Sequence, residues 1–199
     1  MTGPTTTALQ DFSRLADRFG RVVDRLDDAD WGRASPCEGW SARDVLHHVI
    51  STQCDFLAQH GIDASPPTDV STDVSTDVST DPDGAWRGHD DRVRALLADP
   101  AVASLEYDGV FGRTTIGASL VTFYGFDLIV HRWDIAAAAG LDERLDGSEL
   151  DMIESSADGF GEHLYDDGVC KPAVATPAGA DRQTRVLARL GRRATSDIV

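Results

Sequence analysis

Residues 126 to 136 read FDLIVHRWDIA, setting Asp127, His131 and Asp134 into a run otherwise built mainly from Phe, Leu, Ile, Val, Trp and Ala. In a helix, positions four and then three residues apart lie one above another on one face, about 6 Å per turn. The three polar groups then form a single stripe. Acids pointing into an apolar core without partners cost several kcal/mol, so the stripe demands hydrogen bonds, a cation or a metal. Whatever fold the chain adopts must supply that partner.

The flanking segments are helical in period as well. Leu9, Phe12, Leu15, Phe19, Val22, Val23 and Leu26 recur every three or four residues, which predicts an amphipathic helix ending near Asp27 to Asp30. Ser41 and Asp44 form a capping box that opens a second helix over about Ala42 to His60. A third is expected from Ala85 to Ala98, stopped by Asp99-Pro100, and a fourth from Ala118 to Ala139, stopped at Gly140. LEYDGVFGRTTIG, with β-branched and aromatic residues around Gly109 and Gly112, fits a short hairpin or an extended crossover between them. A fifth helix over Ser148 to Tyr165 precedes a Gly, Pro and Ala-rich tail, in which RQTRVLARLG adds one short helix.

These elements predict an all-α fold, a four-helix bundle with an additional C-terminal helix and an irregular tail. Residues 1–165 form the bundle and 166–199 a C-terminal extension packed on it. Inside the bundle, 62–83 carries TDVSTDVSTDVSTD, a four-residue repeat flanked by Pro66, Pro67 and Pro82, which reads as a flexible surface linker. Its evenly spaced Asp residues lack the glycine and the terminal Glu of the known calcium loop.

At 199 residues the chain has room for one domain with a full core. Its net charge of -16 repels phosphate backbones and anionic membrane surfaces, so neither nucleic acid nor membrane is an expected partner. No apolar run reaches the roughly 18 residues of a membrane span, and the N-terminus lacks a basic, apolar leader, which makes cytoplasmic localisation the expectation. Cys37, Cys54 and Cys170 form no C-x-x-C pair and read as ordinary reduced thiols, not nucleophiles.

A partner for the stripe is found in GWSARDVLHHVISTQCDFL. Val45, Val49, Thr52 and Phe56 mark the inward face; His48 shares it and is expected to be buried, whereas His47 falls on the polar side. Two imidazoles and a carboxylate from facing helices are a common way to build a metal site inside a bundle.

The motif pair PCEGWSARDVLHHV and FDLIVHRWDIAAAAG resembles the DinB-like metalloenzyme superfamily, in the branch related to the N-terminal domain of mycothiol-dependent maleylpyruvate isomerase. The tail KPAVATPAGADRQTRVLARLGRRA is similar to the ending of small members of that branch. The resemblance implies a DinB-like bundle in which His48, Asp127 and His131 ligate a divalent metal. It also implies a low-molecular-weight thiol such as mycothiol as cosubstrate, transferred to a small electrophile or used in its isomerisation. The family commonly has Glu at the position of Asp127, so the shorter side chain needs a closer helix approach or an intervening water. No counterpart of the isomerase's separate C-terminal domain is expected in this sequence.

On that reading His48, Asp127, His131 and Asp134 are the catalytic candidates, with Asp134 beside the ligands as a support instead of a ligand itself. The nitrogen-rich set favours zinc, with nickel, iron and manganese as other candidates. A metal-dependent hydrolase and a non-catalytic sensor or regulatory partner are the alternatives, and exposed bundle faces are compatible with a homodimer. Trp40 and Trp133 are expected in core packing, His60 against the last carbonyls of its helix, His89 and His163 outside the site, and Cys54 as a small buried hydrophobe.

Overall fold

The helical periods close into a bundle because each apolar stripe needs another to cover it. A computed structural model describes residues 4–64, 78–166 and 168–193. Its elements are α1 (Pro4–Val23), α2 (Ala42–Gln59), α3 (Pro82–Ala98), α4 (Pro100–Ala103), β1 (Glu106–Gly109), β2 (Gly112–Thr115), α5 (Ile116–Ala138), α6 (Gly147–Phe160) and α7 (Arg182–Arg189). Helix α5 packs on α1, α2 and α6, α1 also packs on α3, and α7 packs on α6. The fold is all-α, as the periodicity and the resemblance imply, and its two strands form a single hairpin. No helix of the described residues is long and apolar enough to cross a membrane.

Helix ends follow local chemistry. The Ser41–Asp44 capping box starts α2 as read from the sequence, with Ser41 Oγ accepting from the Asp44 amide. Helix α3 starts at Pro82, three residues earlier than expected, because Asp81 caps it and proline suits the first helical position. Thr115 caps α5 and moves its start forward to Ile116. The fifth predicted helix is broken in two: α6 stops at Phe160, and a 3-10 turn covers Gly161–Tyr165. Gly161 has φ of +56°, a conformation outside the helical region that only glycine adopts without strain.

Most of the Thr-Asp-Val-Ser repeat falls in 65–77 and lies outside the described residues. On either side of that segment, Ala64 and Val78 are buried, and Arg43 Nη1 donates to the carbonyls of Val78 and Ser79.

Helix α5 is enclosed on nearly every side, so its polar residues all need partners. Arg132, 1% exposed, donates two hydrogen bonds to Glu149 of α6, at 2.7 Å and 2.9 Å. Its Nε lies 2.9 Å from Glu143 Oε1, close enough for ion pairing but without hydrogen-bond alignment. Arg18 of α1 adds a second cation 2.7 Å from Glu149 Oε2. This ionic knot joins α1, α5 and α6. Burial pushes the Glu149 carboxyl up, but the hydrogen bonds and charge of Arg132, with Arg18 and the Asp146 amide, outweigh it and hold the group below its ordinary value.

Glu149→Gln is expected to cost about 3–5 kcal/mol, since it leaves the buried Arg132 cation undercompensated. The denaturant midpoint reads this loss directly. A depressed carboxyl stabilises the fold above its unfolded value, and that contribution is lost as pH falls through the lower folded value. The gap between wild type and variant should therefore be full at neutral pH and narrow below about pH 4.

Candidate metal centre

The opening stripe of α5 faces α2, and the side chains converge there. His131 Nε2 lies 3.2 Å from Asp127 Oδ1, and His48 Nε2 of α2 lies 3.9 Å from the same oxygen. The two imidazole rings meet edge to face at 5.1 Å between centroids. The three predicted ligand residues are thus brought together. The helices approach closely enough to bring the short Asp127 side chain within 3.2 Å of one imidazole and 3.9 Å of the other.

Charge balance explains the geometry. Burial pushes the Asp127 carboxyl up, but the charge of His131 and the nearby His48 imidazole outweigh it and hold it well below the usual carboxylate range. Burial likewise opposes a charged His131, yet Asp127 and Asp134 raise it well above the ordinary imidazole value.

One atom is left over. Asp127 Oδ2 is buried and has no hydrogen-bond partner among the described residues. A buried carboxylate oxygen without a donor is costly, and a cation beside it removes that cost. One donor atom from each of His48, Asp127 and His131 lies within 4.8 Å of the others. Donors about 3–3.5 Å apart suit an ion bonded at about 2.0–2.2 Å, so small side-chain movements suffice to close this set around one. The residues fit a divalent metal with nitrogen and oxygen donors.

Asp134 sits behind this group and not in it. Fully buried, it accepts from His131 Nδ1 at 2.9 Å, from Arg192 Nη2 at 2.9 Å and Nε at 3.3 Å, and from Cys37 Sγ at 3.2 Å. Burial pushes its carboxyl up, but the Arg192 guanidinium and His131 hold it well below the usual range. With Nδ1 hydrogen-bonded to Asp134, His131 turns Nε2 toward Asp127 and His48. Cys37, His131 and Asp134 also bring donor atoms within 4.8 Å of one another, but the guanidinium already occupies that side of Asp134.

Several sequence expectations change here. His48 is half-buried, not buried, because it fronts two cavities. Trp40 is exposed at 37% and packs its ring 4.9 Å from that of His48, so it belongs to the wall of the site, whereas Trp133 is buried as expected. His60 closes α2 through its backbone amide, while its ring packs on Tyr107 at 4.2 Å instead of on carbonyls. His89 is a core residue paired with Gln53 at 3.1 Å, and Cys54 lies 3.7 Å from it and away from the site; His163 is exposed beside Asp166. Arg192 and Cys37 were not singled out by sequence reading. No helical period links either of them to Asp134.

One cavity, of about 510 Å³, runs past Cys37, Trp40, His48, His131, Cys170 and Arg192. A second, of about 350 Å³, opens on the other side of His48 and reaches Asp127. A metal at the three donors would be accessible from the surface.

No curated protein and no solved structure matches the chain significantly. The profile of the mycothiol maleylpyruvate isomerase N-terminal domain matches residues 12–136, which run from α1 through α5 to Ala136 and include His48, Asp127, His131 and Asp134. That match covers more than half of the chain, which therefore belongs to the mycothiol maleylpyruvate isomerase N-terminal domain family, within the DinB-like superfamily.

Proposed function

We propose that this chain holds one divalent metal, zinc in the first instance, at His48, Asp127 and His131 and catalyses transfer of a low-molecular-weight, mycothiol-like thiol to a small electrophile. The buried, unpartnered Oδ2 of half-buried Asp127, whose Oδ1 lies near both imidazoles, carries the metal assignment. Family membership supports the thiol. A divalent ion in such a site supplies Lewis acidity that makes a thiol a thiolate at neutral pH.

The chain's own residues do the rest. His48 and Asp127 present their donors from facing helices, and His131 presents Nε2 because Asp134 fixes its Nδ1. Arg192 keeps Asp134 ionised and therefore able to accept the hydrogen bond from His131 Nδ1. Trp40 shields the outer side of His48. Asp134 is thus a positioning residue, and the larger cavity, polar along Cys37 and Arg192, is where the thiol approaches.

Elemental analysis of purified protein should give about one divalent metal per chain, lost in His48→Ala; equal metal in both proteins would overturn the ligand set. Asp134→Asn should keep the metal but bind it about tenfold to a hundredfold more weakly, whereas His131→Ala should abolish binding. Complete loss in Asp134→Asn would make that residue a ligand. Turnover of model electrophiles should require added thiol, and robust turnover without it would identify a hydrolase.

Metal affinity should also fall as pH is lowered. His131 must give up a proton to expose a nitrogen lone pair, and its raised value keeps that proton competing above the ordinary imidazole value of about 6.5. Titration with the metal at several pH values, with proton release measured in two buffers, checks the sign. Proton release on binding is expected.

A further inference from the structure

The two cavities that meet at His48 present different charges. The larger one carries Arg192 and Lys171 in its wall together with Glu38 and Asp166. Among the described residues, the smaller one has no Arg or Lys, and its ionised groups are the carboxylates Asp55 and Asp127. An anionic ligand lying along its wall would meet Asp55 and no Arg or Lys, and the proposed metal beside Asp127 at the inner end would be its counter-charge there.

Its wall is otherwise aromatic. Phe56 of α2, Phe123, Tyr124 and Phe126 of α5, and Phe160 of α6 converge on it. Their rings lie at 5.0 Å (Phe56–Tyr124), 5.1 Å (Phe123–Tyr124), 5.8 Å (Phe123–Phe160) and 6.1 Å (Phe126–Phe160), the tilted and edge-on spacings that aromatic groups prefer. The cluster is not sealed. Phe123 remains 48% exposed, and Phe111 of the hairpin turn, 66% exposed, adds a further ring 5.6 Å from Phe160. The cavity's volume of about 350 Å³ falls within the roughly 300–1,000 Å³ typical of small-molecule sites. Its inner end reaches His48 and Asp127.

We infer that this aromatic cavity receives the electrophile, and that the electrophile is an uncharged molecule bearing an aromatic ring, not a dicarboxylate of the kind in the family's name. The inference rests on the thiol-transfer reading for its chemistry and on the cavity alone for its ligand class. With an aryl epoxide the step balances without a further reactant: one C–S bond forms, one C–O bond of the ring breaks, and the thiol's proton ends on the released oxygen. The ring's carbon skeleton lies against Phe56 and Phe123, and the thiol reaches it from the larger cavity past His48.

Binding and turnover separate the two claims. Saturation-transfer NMR on the full chain compares 2-phenylethanol with 4-(2-hydroxyethyl)benzoate, two unreactive ligands that differ by one carboxylate. Wild type should favour the neutral ligand at least tenfold. Phe123→Lys, which places a cation on the half-exposed rim, should reverse the order, and Phe123→Leu should retain it. No binding of the neutral ligand, a preference for the carboxylate in wild type, or an unchanged order in Phe123→Lys would overturn the inference. Styrene oxide with thiol should then turn over faster, relative to the uncatalysed rate, than its 4-carboxylate. If the binding preference holds but neither epoxide turns over, the cavity assignment stands and the transferase reading falls.

Discussion

A single carboxylate with no solvent exposure organises this protein. Asp134 lies on the most enclosed helix and is reached by an imidazole, a guanidinium and a thiol from three separate parts of the chain. An ionised group in that position is tolerable only while those partners remain, because removing one leaves buried charge uncompensated. The loop before α2, which carries Cys37, and the residues after α7, which carry Arg192, are therefore held to α5 by electrostatics as well as by apolar contact. Folding of the bundle and docking of the tail serve the same charge.

Helix α5 solves this kind of problem twice. On one side Asp127, His131 and Asp134 face α2 and the tail; on the other, Arg132 faces Glu143 and Glu149, the second of which also meets Arg18. The two polar clusters lie on neighbouring turns of a helix whose remaining positions pack Leu128, Ile129, Val130 and Ile135 into the core. Only a helix surrounded by partners can carry charge in several directions, which is why α1, α2 and α6 all pack against it. The Arg132 knot fixes the rotation of α5 about its axis, and that rotation aims the proposed ligands at His48.

Periodicity makes the helices legible, and a few caps set their ends. Where the structure departs from the sequence reading, a single side chain or glycine decides: Asp81 draws α3 forward, Thr115 does the same for α5, and Gly161 divides α6 from the following turn. The convergence of His48, Asp127 and His131 is legible because their spacing is local on two helices and matches a known motif pair. Arg192 and Cys37 are not, since each meets Asp134 across 58 and 97 residues of chain and neither falls on a shared helical face. Arg132 was passed over because an arginine in an apolar run gives no sign of which distant carboxylate will meet it. Trp40 looks like core from its type alone; it stands beside a cavity, and cavities leave no period in a sequence.

His131 belongs to both polar groups at once, giving one nitrogen to Asp134 and the other to the side where Asp127 and His48 wait. The ring is thus a mechanical and electrical joint between the tail and the centre. Free-energy coupling of this kind runs equally in both directions. Whatever strength the anchored tail lends to an occupant of the centre, the occupant must return to the anchoring of the tail, so ligand affinity and protection of residues 182–193 from exchange or proteolysis become two readings of one quantity.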